Sequence, residues 1–237
     1  MQQLKLGDID IDVVRKDIRH MHLCVYPPTG QVRISAPLRL KDNIVRVFAI
    51  SKLNWIKKHQ QRQRAQEREP AREYIDRESH YYMGRRYLLR VIEHSGPSRV
   101  VMEHDILEVH VNGTAIRERT RDVLEAWYRR CLKEMVPEYI KKWEECLNVK
   151  VKCFGVKKMK TRWGTCNTRA GRIWINLELA RKPVDFLDYI VLHELIHLRE
   201  RKHNEIFNAY MDKFLPKWRY YKAELNRSPL RQENWSY

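Results

Sequence analysis

No stretch of this 237-residue chain has the roughly 18 consecutive apolar residues that a membrane-spanning helix needs, and MQQLKLGDIDID lacks the basic-then-apolar pattern of a secretory signal. A soluble, cytoplasmic protein with no membrane partner is expected. Cysteine is scarce and scattered: Cys24, Cys131, Cys146, Cys153 and Cys166 are odd in number and form no C-x-x-C pair. That excludes a disulfide framework and a cysteine-built zinc site, and predicts reduced thiols. Internal repeats and low-complexity tracts are absent too. What is abundant is positive charge, 47 Lys+Arg against 30 Asp+Glu, a formal net charge of +17. Such a field favours DNA or another polyanion as a partner, whereas the plainer account is a basic excess spread over solvated faces.

Alternation in IDIDVV and MHLCVY, the turn residues PPTG and the returning QVRISAP predict a strand hairpin over 9–35. From Asp42 the pattern turns helical, with Ile44, Val47, Phe48, Leu53 and Ile56 at helical spacing, Asp42 or Asn43 as cap, and a polar, exposed arm after Trp55. After a connector at 70–79, YYMGRRYLLRVIE, SRVVMEHD and ILEVHV read as three strands of an antiparallel front half. A long helix over 114–147, interrupted or bent at Pro137, has a core stripe of Val123, Leu124, Trp127, Tyr128, Leu132 and Met135. VKCFGVKKMK and RIWINLEL read as strands flanking a turn segment, TRWGTCNTRAG. Pro183 ends the second strand and Asp185 caps the next helix. The expected fold is α+β, with an N-terminal unit over 1–80 and a core over 81–237, or one continuous domain over 1–237.

That next helix contains IVLHELIHLRERKHNEIF, residues 190–207. Residues four apart on a helix differ by about 40° in direction, so His193 and His197 share a face and form a two-point metal clamp. Glu194, about 100° round from His193, lies beside the open side of that clamp. His203 supplies a third imidazole beyond the helix. Three neutral nitrogens leave a tetrahedral Zn²⁺, one per chain, with a position for water, and Glu194 is placed as general base and acid for hydrolysis of an amide. Chance supplies H-E-x-x-H with this third His in only about one such chain in seven hundred. Packing alone is a poor alternative, since Glu194 in so apolar a helix would cost several kcal/mol as a buried unpaired charge. A structural zinc site would need a fourth protein ligand, for which Cys166 is available.

The same spacing occurs in metzincin proteases, but Glu200 stands where they have the Gly that lets the chain turn, and Met211 falls in a helical pattern where a Met-turn is expected. His203 is therefore expected at the start of a second helix, with Glu200 or Glu205 as substitute third ligands. Arg162 or Asn176 is available to stabilise an oxyanion, and Trp163 to shape the site. Cys166 reads first as a packing thiol, otherwise as a metal-proximal or redox-sensitive one. Lys150, Lys152, Lys157, Lys158, Lys160, Arg162, Arg169 and Arg172, with Trp163 and Trp174, form either a single-strand-binding surface or a solvated strand edge.

TRWGTC, then RIWINLEL, then YIVLHELIHLRERKHNEIFNAYMDKFLPKW resembles the YgjP-like family of zinc metallopeptidases, a zincin group distantly similar to SprT-type proteases acting on DNA-bound proteins. The N-terminal hairpin, KLNWIKK and YMGRRYLLRV fall in the same order, so nearly the whole chain is covered. Thr165 replaces the usual Ser, and Asn208 stands where Trp commonly follows Phe207. The resemblance implies a zincin-like fold: an antiparallel or mixed sheet above the H-E-x-x-H helix, an edge strand able to pair with a peptide or protein substrate, and a second helix bearing the third ligand. It implies a zinc endopeptidase. The competing class is a nucleic-acid-associated adaptor protein with a structural or vestigial zinc site.

Overall fold

A computed structural model of the chain describes residues 2–26, 29–65, 72–159 and 161–227. The chain divides into two compact units, one ending at Arg68 and the next beginning at Glu69.

In the first unit β1 (Gln2–Leu6), β2 (Ile9–Lys16), β3 (His22–Tyr26) and β4 (Gln31–Pro37) form one sheet in the order β1-β2-β4-β3. The antiparallel partner of β4 is β3, with Tyr26 opposite Gln31. β2 instead runs parallel to β4, and β1, not foreseen from the sequence, pairs with its far side. Ile9, Ile11 and Val13 of β2 are buried with Val32 and Ile34 of β4, so the two most apolar strands take the centre of the sheet. The helix expected as one piece breaks at Lys52, where ψ turns to 5°, into α1 (Asp42–Ser51) and α2 (Leu53–Ala65). Its N-cap position is Lys41, with Asp42 in the first turn. Gln60 Nε2 donates to the Gly30 carbonyl at 2.8 Å, tying α2 to the β3–β4 turn. The rest of the expected polar arm runs outside the described residues.

The connector belongs to the second unit: Tyr74 is buried in its core, and the Glu78 carboxylate accepts the N–H groups of Glu73 and Tyr74 at 2.8 Å each. β5 (Ser79–Tyr82), β6 (Arg85–Glu93), β7 (Arg99–Glu103) and β8 (Ile106–Val111) form a sheet ordered β5-β6-β8-β7. YYMGRRYLLRVIE is two strands, because Met83 and Gly84 take φ of +46° and +81° and reverse the chain in a two-residue hairpin turn. β6 and β8 are parallel, so this half is mixed and not antiparallel. α3 (Ile116–Leu147) buries Leu124, Tyr128, Leu132 and Val136 and continues through Pro137 without interruption. Pro137 and Lys133 lie on its exposed side, so the hydrogen bond that the proline ring removes is lost at the solvent-facing surface and not in the core.

β9 (Cys153–Lys157), β10 (Gly164–Asn167) and β11 (Arg172–Asn176) make a third sheet, β10-β11-β9, with β9 and β11 parallel and β10 antiparallel at the edge. The expected turn segment TRWGTCNTRAG therefore contains a strand. β11 ends at Asn176, and a 3-10 helix (Leu177–Arg181) leads into α4 (Val184–Ile196), α5 (Glu205–Phe214) and α6 (Trp218–Arg227). Pro183, not Asp185, holds the N-cap of α4; Asp185 sits in the first turn, where its charge meets the positive end of the helix dipole. The whole is mixed α+β, with six α-helices among the described residues. No described helix is long and apolar enough to cross a membrane. All five cysteines are free thiols.

Candidate active site

α4 is apolar on almost every side: Leu187, Ile190, Val191, Leu192, Leu195 and Ile196 are buried, as is Glu194 at 5% exposure. His193 lies in its last turn and His197 forms its C-cap. The chain then reverses. Leu198, Arg199 and Glu200 donate their N–H groups to the carbonyls of Leu195 and Ile196, and Glu200 Oε1 accepts the N–H of Lys202 at 3.0 Å. No residue from His197 to Asn204 has a positive φ, so this turn needs no glycine at position 200. Asn204 then caps α5, its Oδ1 accepting the N–H of Phe207 at 3.0 Å. His203 thus stands just before the cap and is not carried on α5.

These elements bring three rings together, with centroid separations of 4.9 Å (His193–His197), 4.9 Å (His193–His203) and 4.7 Å (His197–His203). One nitrogen from each lies within 4.8 Å of the others. Buried Phe207 supports all three from behind, at 4.9, 5.1 and 4.7 Å. The His197 Nδ1–H group reaches the Glu200 carbonyl oxygen at 3.0 Å, leaving Nε2 as the free electron pair. Burial first, then the neighbouring His197, His203 and Lys222, push His193 down to about 3, so it is neutral. His203 is lowered by burial, His197 and Lys222.

The cluster fits a metal ion. Nε2 of His193 and Nε2 of His203 are 3.0 Å apart, where at most one proton can be shared between them. His193 Nδ1 is buried without a hydrogen-bond partner. A small tetrahedral cation with bonds of about 2.0–2.1 Å spaces its ligand atoms by about 3.3 Å and takes up all three electron pairs. Glu194, Glu200, Glu205 and Cys166 offer no ligand atom to this group. Glu200 acts through its backbone carbonyl and its bond to Lys202, and Glu205 opens α5.

A cleft of about 660 Å³ opens on the cluster, between α4, α6 and the 161–168 segment. Gly164 of β10 passes directly over Glu194. Burial raises the Glu194 carboxyl to about 8 against the partial opposition of Arg162. Arg162 and Trp163 line this cleft, and Cys166 lies in its wall, its thiol pushed up to about 11 by burial and then by Glu194. Asn176 does not reach the cleft. Its amide donates to the carbonyls of Met159 (2.9 Å) and Arg162 (2.7 Å) and accepts from the N–H groups of Met159 (3.3 Å) and Glu178 (3.2 Å). Three of these bonds hold the loop bearing Arg162, and the fourth caps the 3-10 helix, so every polar position of that side chain is used.

Sequence reasoning missed Tyr189, Arg201 and Lys222, which also line the cleft. Tyr189 lies one helical turn before His193, a spacing visible in the sequence, and packs edge-on to it at 5.9 Å. Its hydroxyl is pushed up to about 12 by burial, then by Glu194. The basic residues expected to cluster before α4 are partly neutralised: Lys150 pairs with Glu144 at 2.9 Å and Lys158 with Glu125 at 2.5 Å. Lys157 and Arg172 lie over the Trp174 ring at 4.7 and 5.6 Å. Lys160 lies outside the described residues.

A sequence profile described as a YgjP-like metallopeptidase domain matches residues 19–228. No curated protein matches the chain. Among solved structures, the metallopeptidase zymogen abylysin of Pyrococcus abyssi is 17% identical, over 42% of this chain and 100% of its own, with a TM-score of 0.38. The metallopeptidase zymogen jannalysin of Methanocaldococcus jannaschii is 18% identical, over 38% and 92%, with a TM-score of 0.35.

Proposed function

The chain belongs to the YgjP-like metallopeptidase family, and from that premise we propose that it is a zinc-dependent endopeptidase whose reaction centre is the three-histidine cluster. His193, His197 and His203 would hold one zinc ion per chain. Three neutral imidazoles with no carboxylate among the ligand atoms suit zinc better than magnesium or calcium. When bound, the ion supplies Lewis acidity, which lowers the pKa of a water from about 15.7 toward 7 and polarises a carbonyl.

Glu194 moves the proton. Its carboxylate, buried beside the cluster, takes a proton from the attacking water and returns it to the departing amine nitrogen. Burial strengthens its hold on that proton, which suits a group that must carry it between two partners. Arg162, at the cleft and close enough to influence Glu194, faces the charge that develops on the carbonyl oxygen. β10 has a partner on one side only, and its free edge is available to an extended peptide through backbone hydrogen bonds, which favours cleavage within a chain.

The observation that carries this proposal is the convergence of three ligand nitrogens within 4.8 Å, with a buried glutamate next in sequence to one of them. A structural zinc site is disfavoured by the lack of a fourth ligand atom from Cys166. Glu194→Gln tests the proposal: zinc stays at one per chain by elemental analysis while peptide hydrolysis is lost. Undiminished hydrolysis by that variant would remove Glu194 from the chemistry.

A further inference from the structure

Three cations from three separate segments surround the histidine cluster: Arg162 before β10, Arg201 in the turn after α4, and Lys222 on α6. All three are exposed. Among the described residues, the only carboxylate lining the same cleft is Glu194, which lies buried beneath Gly164. Some other basic side chains in this unit pair with acids, as in Arg90–Glu108, Lys142–Asp188 and Lys150–Glu144. The three cations at the cleft are paired with no described carboxylate.

We propose that this cleft selects acidic polypeptide, with Asp or Glu side chains on the residues flanking the bond to be cut. The inference rests on the peptidase reading of the same site and names its substrate class. An anionic segment entering here meets unpaired positive charge on three sides and no exposed like charge. A segment rich in Lys or Arg meets repulsion on the same three sides. Polypeptide is favoured over a nucleic acid strand, because the Trp and Tyr rings that line the cleft are half-buried (Trp163) and buried (Tyr189) against the core, which limits base stacking.

The test uses the zinc-loaded full chain and three fluorogenic peptides with one apolar centre, flanked by Glu, Gln or Lys. An exposed ion pair contributes roughly 1.5- to 5-fold, so three acting together make kcat/KM for the Glu peptide about 10-fold or more above that for the Lys peptide. The gap narrows at about 0.5 M NaCl, where surface charges are screened. Arg201→Glu with Lys222→Glu reverses the order, and the milder Lys222→Gln shrinks the gap. Equal rates for the three peptides would overturn the selection while leaving the peptidase proposal standing. Binding is read separately, by fluorescence anisotropy of labelled Glu-rich and Lys-rich peptides on zinc-loaded Glu194→Gln. Preference for the Glu-rich peptide without cleavage by the native chain would keep the selection and remove the peptidase reading. Lack of that preference removes the selection, and displacement of the Glu-rich peptide by single-stranded DNA at equal potency would reassign the cleft to phosphate.

Discussion

Gly164 lies so close over Glu194 that a Cβ atom added to it would stand 2.5 Å from Oε1 and 2.8 Å from Cγ. Ile190 closes the same space from one turn earlier, 2.9 Å from that added atom. Neither neighbour can yield freely, because both belong to a buried helix. Gly164→Ala is therefore expected to destabilise the fold by about 1–3 kcal/mol through overpacking. It also displaces the carboxylate, which costs at least about 10-fold in kcat. Zinc content should stay at one per chain, since the added methyl presses first on Glu194 and Ile190 and not on a ligand imidazole. A thermal scan, elemental analysis and hydrolysis assay on one preparation check all three, and an unchanged kcat would show that Glu194 needs no such fixing.

The two routes to a third metal ligand separate cleanly in variants. His203→Ala removes a ligand nitrogen, and the zinc affinity measured by competition with a chelator should fall by well over 100-fold. Glu200→Ala removes only the side chain. The carbonyl that orients His197 remains, and the lost bond to the Lys202 N–H weakens the turn by about 1 kcal/mol, so affinity should fall by less than about 10-fold. The reverse ranking would give the ligand role to Glu200.

The metal cluster was legible because its logic is local: His193 and His197 share a helix face by spacing alone, and His203 is ten residues along. What the sequence hid is what acts through space. Phe207 reads as an ordinary core residue of α5, and only the folded chain shows it supporting three rings. Gly164 sat in a segment read as a turn, although a glycine in a short strand is also the mark of close backbone approach. Asn176 looked like a polar group free for chemistry and proved to be the clamp of the loop before it. The parallel pairs β2–β4 and β6–β8 were missed for a related reason: alternation reports which face of a strand is buried, not which strand lies beside it.

Asn176→Ala should be costly in two ways. It strips the Met159 and Arg162 carbonyls and the Met159 and Glu178 N–H groups of their buried partner, a loss of about 2–4 kcal/mol, or a fall in Tm of several degrees for a unit of this size. The loop that Asn176 clamps carries Arg162, so kcat should fall while KM changes little. Asn176→Asp keeps both acceptances but loses both donations, and should recover only part of either loss. Full activity in the Ala variant would mean that Arg162 is placed by other contacts.

His80 is fully buried, with Nε2 2.8 Å from Glu78 Oε2. Burial, then Arg72, push it down to about 4, against the opposing pull of Glu78. Burial works against the Glu78 carboxylate as well, but hydrogen bonds from Glu73, His80 and Tyr74 outweigh it and hold that group below its usual range. Both folded values are depressed, so the two contributions have the same sign. The folded state holds His80 neutral while the unfolded chain takes up a proton below about 6.5, its ordinary value. The contribution of this pair is therefore complete above pH 6.5 and declines as pH falls toward 4, at up to about 1.4 kcal/mol per pH unit from His80. Urea midpoints of the zinc-loaded protein measured between pH 8 and pH 5 should be level in the upper half of that range and fall in the lower. His80→Gln keeps a donor for Glu78 and removes the titration, so its midpoint should fall less steeply below pH 6.5 than that of the native chain. Parallel curves for the two proteins would place the acid sensitivity in other groups.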